Sequence, residues 1–166
     1  PGAGTPDADR WRGGNWTGMA YTSRHSGRRI RSLLADAGVA GDCYLTNAVK
    51  CFPCDGGGSN REPTATEREH CRSYLREELD HIDPRVIVPT GKHATESVLA
   101  LDGETGRSTR DGFLDLVLDP VECPALGVTA VPLLHPSYRD VWVSRLGHTN
   151  DSYEQQVETV LAEVTG

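Results

Sequence analysis

No stretch of 18 apolar residues occurs in the 166-residue sequence, so no segment is expected to cross a bilayer as a helix. A secretory leader pattern is also missing. The sequence opens at Pro1 without a methionine and reads as a segment of a longer protein. Lysine is scarce: only Lys50 and Lys92 stand among the 17 basic residues, and the rest are arginine. Against 24 acidic residues this leaves a formal net charge of -7. Such a balance argues at first against a nucleic-acid partner, because phosphate binding usually wants a basic face. It does not exclude one. Arginine is the better fork for phosphate and base edges, and an acid-rich protein suited to high salt can keep a local basic patch. An even cysteine count is lacking too. Cys43, Cys51, Cys54, Cys71 and Cys123 form an odd set, which argues against a disulfide framework. A reducing cytoplasm is the expected compartment, with metal ligation or simple burial as the fate of the thiols.

What is present fits one domain, and residues 1–166 are expected to fold as a single unit and a monomer. The first 27 residues are rich in Gly, Arg and Trp and read as loop. Ile30, Leu33, Leu34 and Ala37 recur at helical spacing, which predicts a helix from about Arg28 to Ala37 capped by Gly38. Cys43-Tyr44-Leu45-Thr46 reads as a short buried strand. Thr64-Ala65-Thr66-Glu67 has the capping-box pattern and opens a helix to about Ile82. Val86-Ile87-Val88 is the next buried strand, and Gly91 turns the chain into a helix ending near Leu101. Phe113 to Leu118 is expected as a strand of a small ribbon. Thr129 to Leu134 is the last core strand, and an amphipathic helix begins near Ser152. Alternating strands and helices imply an α/β sandwich with a largely parallel sheet. In such sheets ligands lie beyond the carboxyl ends of the strands, where Asn47, Gly91 and His135 fall.

Two short motifs carry the chemistry. Asn47 sits in Thr46-Asn47-Ala48-Val49-Lys50-Cys51, and its amide offers a donor and an acceptor together. His135 sits in His135-Pro136-Ser137-Tyr138, where an imidazole can stabilise charge on a leaving group. Read alone, Asn47 is a strand-end cap and His135 a structural histidine before proline. The ordered set of motifs changes that balance. Pro1-Gly2, Gly13-Gly14-Asn15-Trp16-Thr17-Gly18, Thr46 to Cys51, Asn60-Arg61-Glu62-Pro63-Thr64, Cys71 and the His135 motif follow one another along nearly the whole chain.

In that order the sequence resembles the uracil-DNA glycosylase superfamily, most closely family 4 and its archaeal relatives. The resemblance implies a three-layer α/β/α sandwich with a central, mostly parallel four-stranded sheet, its first strand upstream of Pro1 or nearby. It implies hydrolysis of the N-glycosidic bond of deoxyuridine in DNA, with Asn47 bonding an edge of the flipped uracil. Trp16 would stand where a Phe normally stacks on the base, with Trp11 as a nearby competitor, and Gly2 would line the pocket. His135 would donate to the uracil oxygen on which charge develops. Asp7 and Asp9 would be the candidates for placing water, although a solvated loop is the plainer reading of that stretch. Ser137, Tyr138 and Arg139 would enter the minor groove, with Arg145, Arg24, Arg28 and Arg29 as further phosphate candidates. A 4Fe-4S cluster is implied as well. Cys51 and Cys71 match two of its four ligands, and the other two fall upstream of Pro1 in the family. Either the segment is trimmed and those two lie upstream, or Cys43 or Cys54 substitutes, or no cluster forms. Burial is the plainer reading of Cys43 and Cys123.

Two other readings belong to different classes. One is a superfamily member that binds damaged or single-stranded DNA without cleaving it, suggested by the missing acid directly after Gly2. The other is a small-molecule α/β enzyme with a Cys51–His135 pair. Relatives that trap uracil covalently carry a histidine in the loop after the Asn47 motif. Asp55-Gly56-Gly57-Gly58-Ser59-Asn60 has none.

Overall fold

The computed structural model describes residues 26–51, 53, 61–103, 107–109 and 112–166. Helix α1 spans Ser26–Asp36 and buries Ile30, Leu33 and Leu34, one face at helical spacing. Gly38, at φ +74°, supplies the left-handed residue that lets the Val39 N–H reach back to the Leu34 carbonyl. Helix α2 spans Ala65–Ile82 and starts with the predicted capping box. The Glu67 N–H donates to the Thr64 hydroxyl, and the Glu67 carboxylate accepts from the Thr64 N–H. The Arg61 guanidinium, followed by the Thr64 N–H, holds the Glu67 carboxyl down at about 2. Asp83, at φ 50°, ends the helix in the left-handed region before Pro84.

The sheet is built on β3 (Val128–Ala130). Strand β1 (Val86–Ile87) pairs with it in parallel, and β2 (Val121–Cys123) pairs antiparallel, giving the order β1-β3-β2. Pro89 and Pro132 lack an N–H, yet the parallel pairing continues past both because their neighbours donate. The Val131 N–H bonds Ile87 O, the Leu133 N–H bonds Pro89 O, and the Gly91 N–H bonds Leu133 O at 2.7 Å. A further bridge joins Thr90 and Leu133.

Side chains leave β3 and its extension alternately, as a pleat requires. Val131 and Leu133 enter one core with α1 and with α5 (Asn150–Thr165). Val128 and Ala130 enter a second core with Cys123 and with α3 (Lys92–Asp102). Helices therefore cover both faces of the sheet, as an α/β sandwich demands. A single turn, α4 (Arg139–Trp142), follows the His135 motif.

Two expected strands change. Cys43 to Thr46 is not a strand: Cys43 and Tyr44 are exposed, and the segment joins no ladder. Phe113 to Leu118 is not a ribbon strand, because a 3-10 turn at Leu114–Leu116 occupies it. The Leu116 and Val117 N–H groups close on Phe113 and Leu114, and Leu118 leaves at φ 68°. Its partner role in the sheet falls to β2 instead. Among the described residues the sheet has three strands and is mixed, so the parallel four-stranded sheet is seen only as the β1–β3 pair.

Candidate active site

His135 begins where the β3 extension ends, and its backbone is held on several sides. The buried Leu134 N–H donates to the Tyr153 hydroxyl of α5 at 2.9 Å. Tyr153 is 1% exposed, and burial pushes its phenol up to about 12, so it stays neutral. The Tyr138 N–H closes a turn onto the His135 carbonyl. The Ser137 N–H donates to His135 Nδ1 at 3.2 Å. A ring nitrogen that accepts carries no proton, so the neutral tautomer here bears its hydrogen on Nε2. Burial also depresses the His135 pKa below its ordinary 6.5, which favours the neutral ring at neutral pH. The result is an uncharged imidazole with one N–H to offer.

Gly91, at φ +87°, packs against this histidine so closely that an added Cβ would lie 2.9 Å from His135 Cβ. Both the dihedral and the contact require glycine at this point. Its carbonyl accepts from the Thr95 N–H and hydroxyl in the first turn of α3. One turn on, Glu96 ties α3 to other elements. It meets Arg68 of α2 at 3.3 Å, His93 Nδ1 at 3.3 Å and the Thr109 hydroxyl at 3.0 Å. Burial works to raise the Glu96 pKa, but the Thr109 and His93 bonds and the Arg68 charge outweigh it and hold the carboxyl low.

The Asn47 segment is carried by α2 rather than by a ladder. Thr46 and Lys50 flank it, and both reach Glu78: the Thr46 hydroxyl at 2.8 Å and Lys50 Nζ at 2.5 Å. Lys50 Nζ also donates to the Thr46 hydroxyl. Val49 is buried, and the Lys50 N–H donates to Cys71 Sγ at 3.3 Å. Asn47 is thus half-buried between two anchors on one helix. The next residue, Cys51, has its thiol in direct contact with that of Cys71. Burial, then Cys71 and Glu67, push the Cys51 thiol up.

The chain matches the family model described as the uracil DNA glycosylase superfamily over residues 4–161. The chain belongs to this superfamily. It is 33% identical over 148 residues to a type-5 uracil-DNA glycosylase of Pyrobaculum aerophilum, covering 81% of this chain and 60% of that protein. A type-4 uracil-DNA glycosylase of Thermotoga maritima is 32% identical over 123 residues, 74% of this chain and 57% of that protein. A type-4 enzyme of Archaeoglobus fulgidus is 38% identical over 77 residues, 46% of this chain and 37% of that protein. The chain therefore spans at most about three-fifths of these curated relatives.

Within the superfamily's motif order, Gly2, Asp7, Asp9 and Trp16 lie outside the described residues, as do Cys54 and Arg24. His135 and Gly91 are brought together, and so are Cys51 and Cys71. Tyr138 stays on the surface at 57% exposure, its ring 5.8 Å from the His135 ring. Val141 beside it is 62% exposed. Arg139 does not join them as a phosphate contact. It is 8% exposed, and its guanidinium turns inward to Glu154 at 2.5 Å. The helical turn of α4 rotates this side chain towards α5, where a carboxylate compensates the buried charge. Arg29 is likewise engaged, with the Pro136 carbonyl and Asp140. Arg145 lies over the Trp142 ring at 4.4 Å and remains on the exposed side.

Cys43 is exposed rather than buried, its thiol donating to Val39 O. Cys123 is fully buried, and that burial pushes its thiol up to about 11, the mark of an inert side chain. Among the described residues no group of three His, Cys, Asp or Glu side chains is arranged to hold a metal ion. Glu78, Tyr153 and Glu96 are supports that sequence reasoning missed. Each acts through a tertiary contact that no local pattern encodes.

Proposed function

We propose that this chain carries uracil excision: hydrolysis of the N-glycosidic bond of deoxyuridine in DNA, leaving an abasic site. The observation that carries it is His135, held neutral with Nδ1 occupied by the Ser137 N–H, in the motif that the superfamily places at its uracil pocket. As the bond to the sugar breaks, negative charge grows on a uracil carbonyl oxygen. A neutral Nε2–H donates to that oxygen without leaving a buried cation in the ground state. A fixed donor of this kind contributes about 2.7–4 kcal/mol to lowering a barrier. Asn47 reads the polar edge of the extruded base, a two-point contact worth about 1–3 kcal/mol of discrimination. Trp16 stacks on the base, and Gly2 allows close approach of the backbone. Asp7 or Asp9 places the water. Ser137 and the exposed Tyr138 meet the DNA beside the extruded nucleotide, where base extrusion costs a few kcal/mol.

A 4Fe-4S cluster suits the Cys51–Cys71 pair as two of its four ligands. Two thiols in contact, one accepting a backbone N–H from Lys50, have the chemistry of such ligands. Bound there, the cluster would fasten the end of the Asn47 segment to α2. The remaining ligands would come from cysteines elsewhere in the full protein.

The small-molecule reading with a Cys51–His135 pair is disfavoured. The Cys51 thiol is raised and engaged with Cys71, and His135 Nδ1 already accepts from Ser137. The deciding experiment is uracil release by the full-length protein from oligonucleotides carrying single-stranded uracil or a G·U pair. Free uracil and an abasic, alkali-labile strand are expected. Tight binding without an abasic product would instead support the non-cleaving DNA-binding reading.

A further inference from the structure

Arg29 lies on α1, more than a hundred positions from the His135 motif in sequence, yet it grips that motif at two points. Its Nη1 donates to the Pro136 carbonyl at 2.9 Å, and its Nη2 meets the Asp140 carboxylate at 2.6 Å. One turn earlier on the same helix, the Ser26 and Ser137 hydroxyls are 2.6 Å apart. The carbonyl of Pro136 and the N–H of Ser137 belong to one peptide unit. That unit is planar and trans, so its C=O and N–H point in opposite directions. Arg29 fixes the oxygen end, and the hydrogen end is the one that donates to His135 Nδ1. A proline carbonyl suits this arrangement, because Pro136 has no N–H of its own to compete in the turn.

We propose that Arg29 is a positioning residue that sets the tautomer of His135 through the Pro136–Ser137 peptide plane. The proposal rests on the reading of His135 as the leaving-group donor. With the plane fixed, Nδ1 always accepts and Nε2 always carries the proton. Release the oxygen end, and the plane is free to rotate about the bonds on either side. The Ser137 N–H then leaves Nδ1, and the imidazole is free to place its proton on either nitrogen. The molecules that carry the proton on Nδ1 then present a bare nitrogen to the departing base. Asp140 completes the clamp by holding the second arm of the guanidinium, and the contact in turn depresses the Asp140 pKa. A single lysine ammonium has no rigid fork with which to reproduce both contacts.

The test uses the full-length protein labelled with 15N-histidine, with the His135 signal assigned by its loss in His135→Gln. In the wild type at pH 8 the ring nitrogens are expected to show one tautomer, protonated at Nε2. Arg29→Met is expected to give averaged tautomer shifts and a single-turnover kcat lower by roughly 10–100-fold, with KM within about twofold. Its acidic kinetic limb stays below 6.5, because the burial that disfavours the charged ring is unchanged. Arg29→Lys is expected to fall between the two in both readouts. If Arg29→Met does not fold, Arg29→Lys decides by the same signals. A pure Nε2 tautomer with wild-type kcat in the folded variant overturns the proposal. The tautomer readout needs no turnover, so a wild type that releases no uracil strikes the function reading and leaves this inference to be decided by the spectra.

Discussion

The two segments that carry Asn47 and His135 are built differently. His135 is held by the Leu134–Tyr153 bond, by its own turn with Ser137 and Tyr138, and by Gly91 at its Cβ. Supports reach it from α1, α3 and α5, and the chain there continues a sheet. Asn47 belongs to a segment with no ladder, anchored to the single helix α2 through Glu78 and Cys71. The difference suits the two tasks proposed for these residues. A leaving-group donor has to be aimed before charge develops, so it gains from being over-determined. A base reader has to admit a nucleotide that arrives from outside, and a segment outside the sheet can adjust to it. The same contrast makes the Asn47 segment the more dependent on the Cys51–Cys71 pair.

Substitutions can separate the two segments. The largest effect belongs to His135→Ala, expected to lower single-turnover kcat by about 10²–10³-fold while leaving KM within a few-fold. Asn47→Ala is expected to lower kcat/KM by roughly 10–100-fold and to relax discrimination among deaminated bases, as measured on matched oligonucleotides. Equal losses in kcat alone from both variants would erase the distinction. Tyr153→Phe leaves the buried Leu134 N–H without its acceptor, which costs about 1–3 kcal/mol in chemical denaturation. Glu78→Gln weakens the anchor of Thr46 and Lys50. Those groups are partly exposed, so a rise in KM of only about 2–5-fold is expected, with kcat unchanged. The smallest effect is on stability with pH. The folded His135 pKa lies below 6.5, so the unfolded chain takes up its proton first. Its contribution is full above about 6.5 and is lost as pH falls through the folded value. Melting curves of the wild type and of His135→Gln should converge on acidification.

Much of the frame was legible in the residues themselves. Ile30, Leu33 and Leu34 announced α1, and Thr64 with Glu67 announced α2, because spacing and capping are local physics. Asn47 and His135 stood out because each sits in a short motif within an ordered series. The failures have a common cause. Cys43 to Thr46 looks like a strand by its residue types, but strands need a partner, and the segment lies against α2 instead. Leu114 and Leu116 alternate as in a ribbon, yet the positive φ at Leu118 and the glycine before Phe113 favour one tight turn. Arg29 and Arg139 looked like phosphate ligands because arginine on a surface is the common case. Only the fold reveals that Glu154 and the Pro136 carbonyl had already taken them.

The central claim is that a neutral His135, protonated at Nε2, aids departure of uracil. The most direct measurement is the pH dependence of single-turnover uracil release, from pH 5 to 8.5, for the wild type and His135→Ala. The account predicts a plateau above about pH 6.5 and a fall only at lower pH, with that limb absent from the His135→Ala profile. A wild-type rate that rises as pH falls through 6.5, or a His135→Ala rate equal to the wild type across the range, would contradict it.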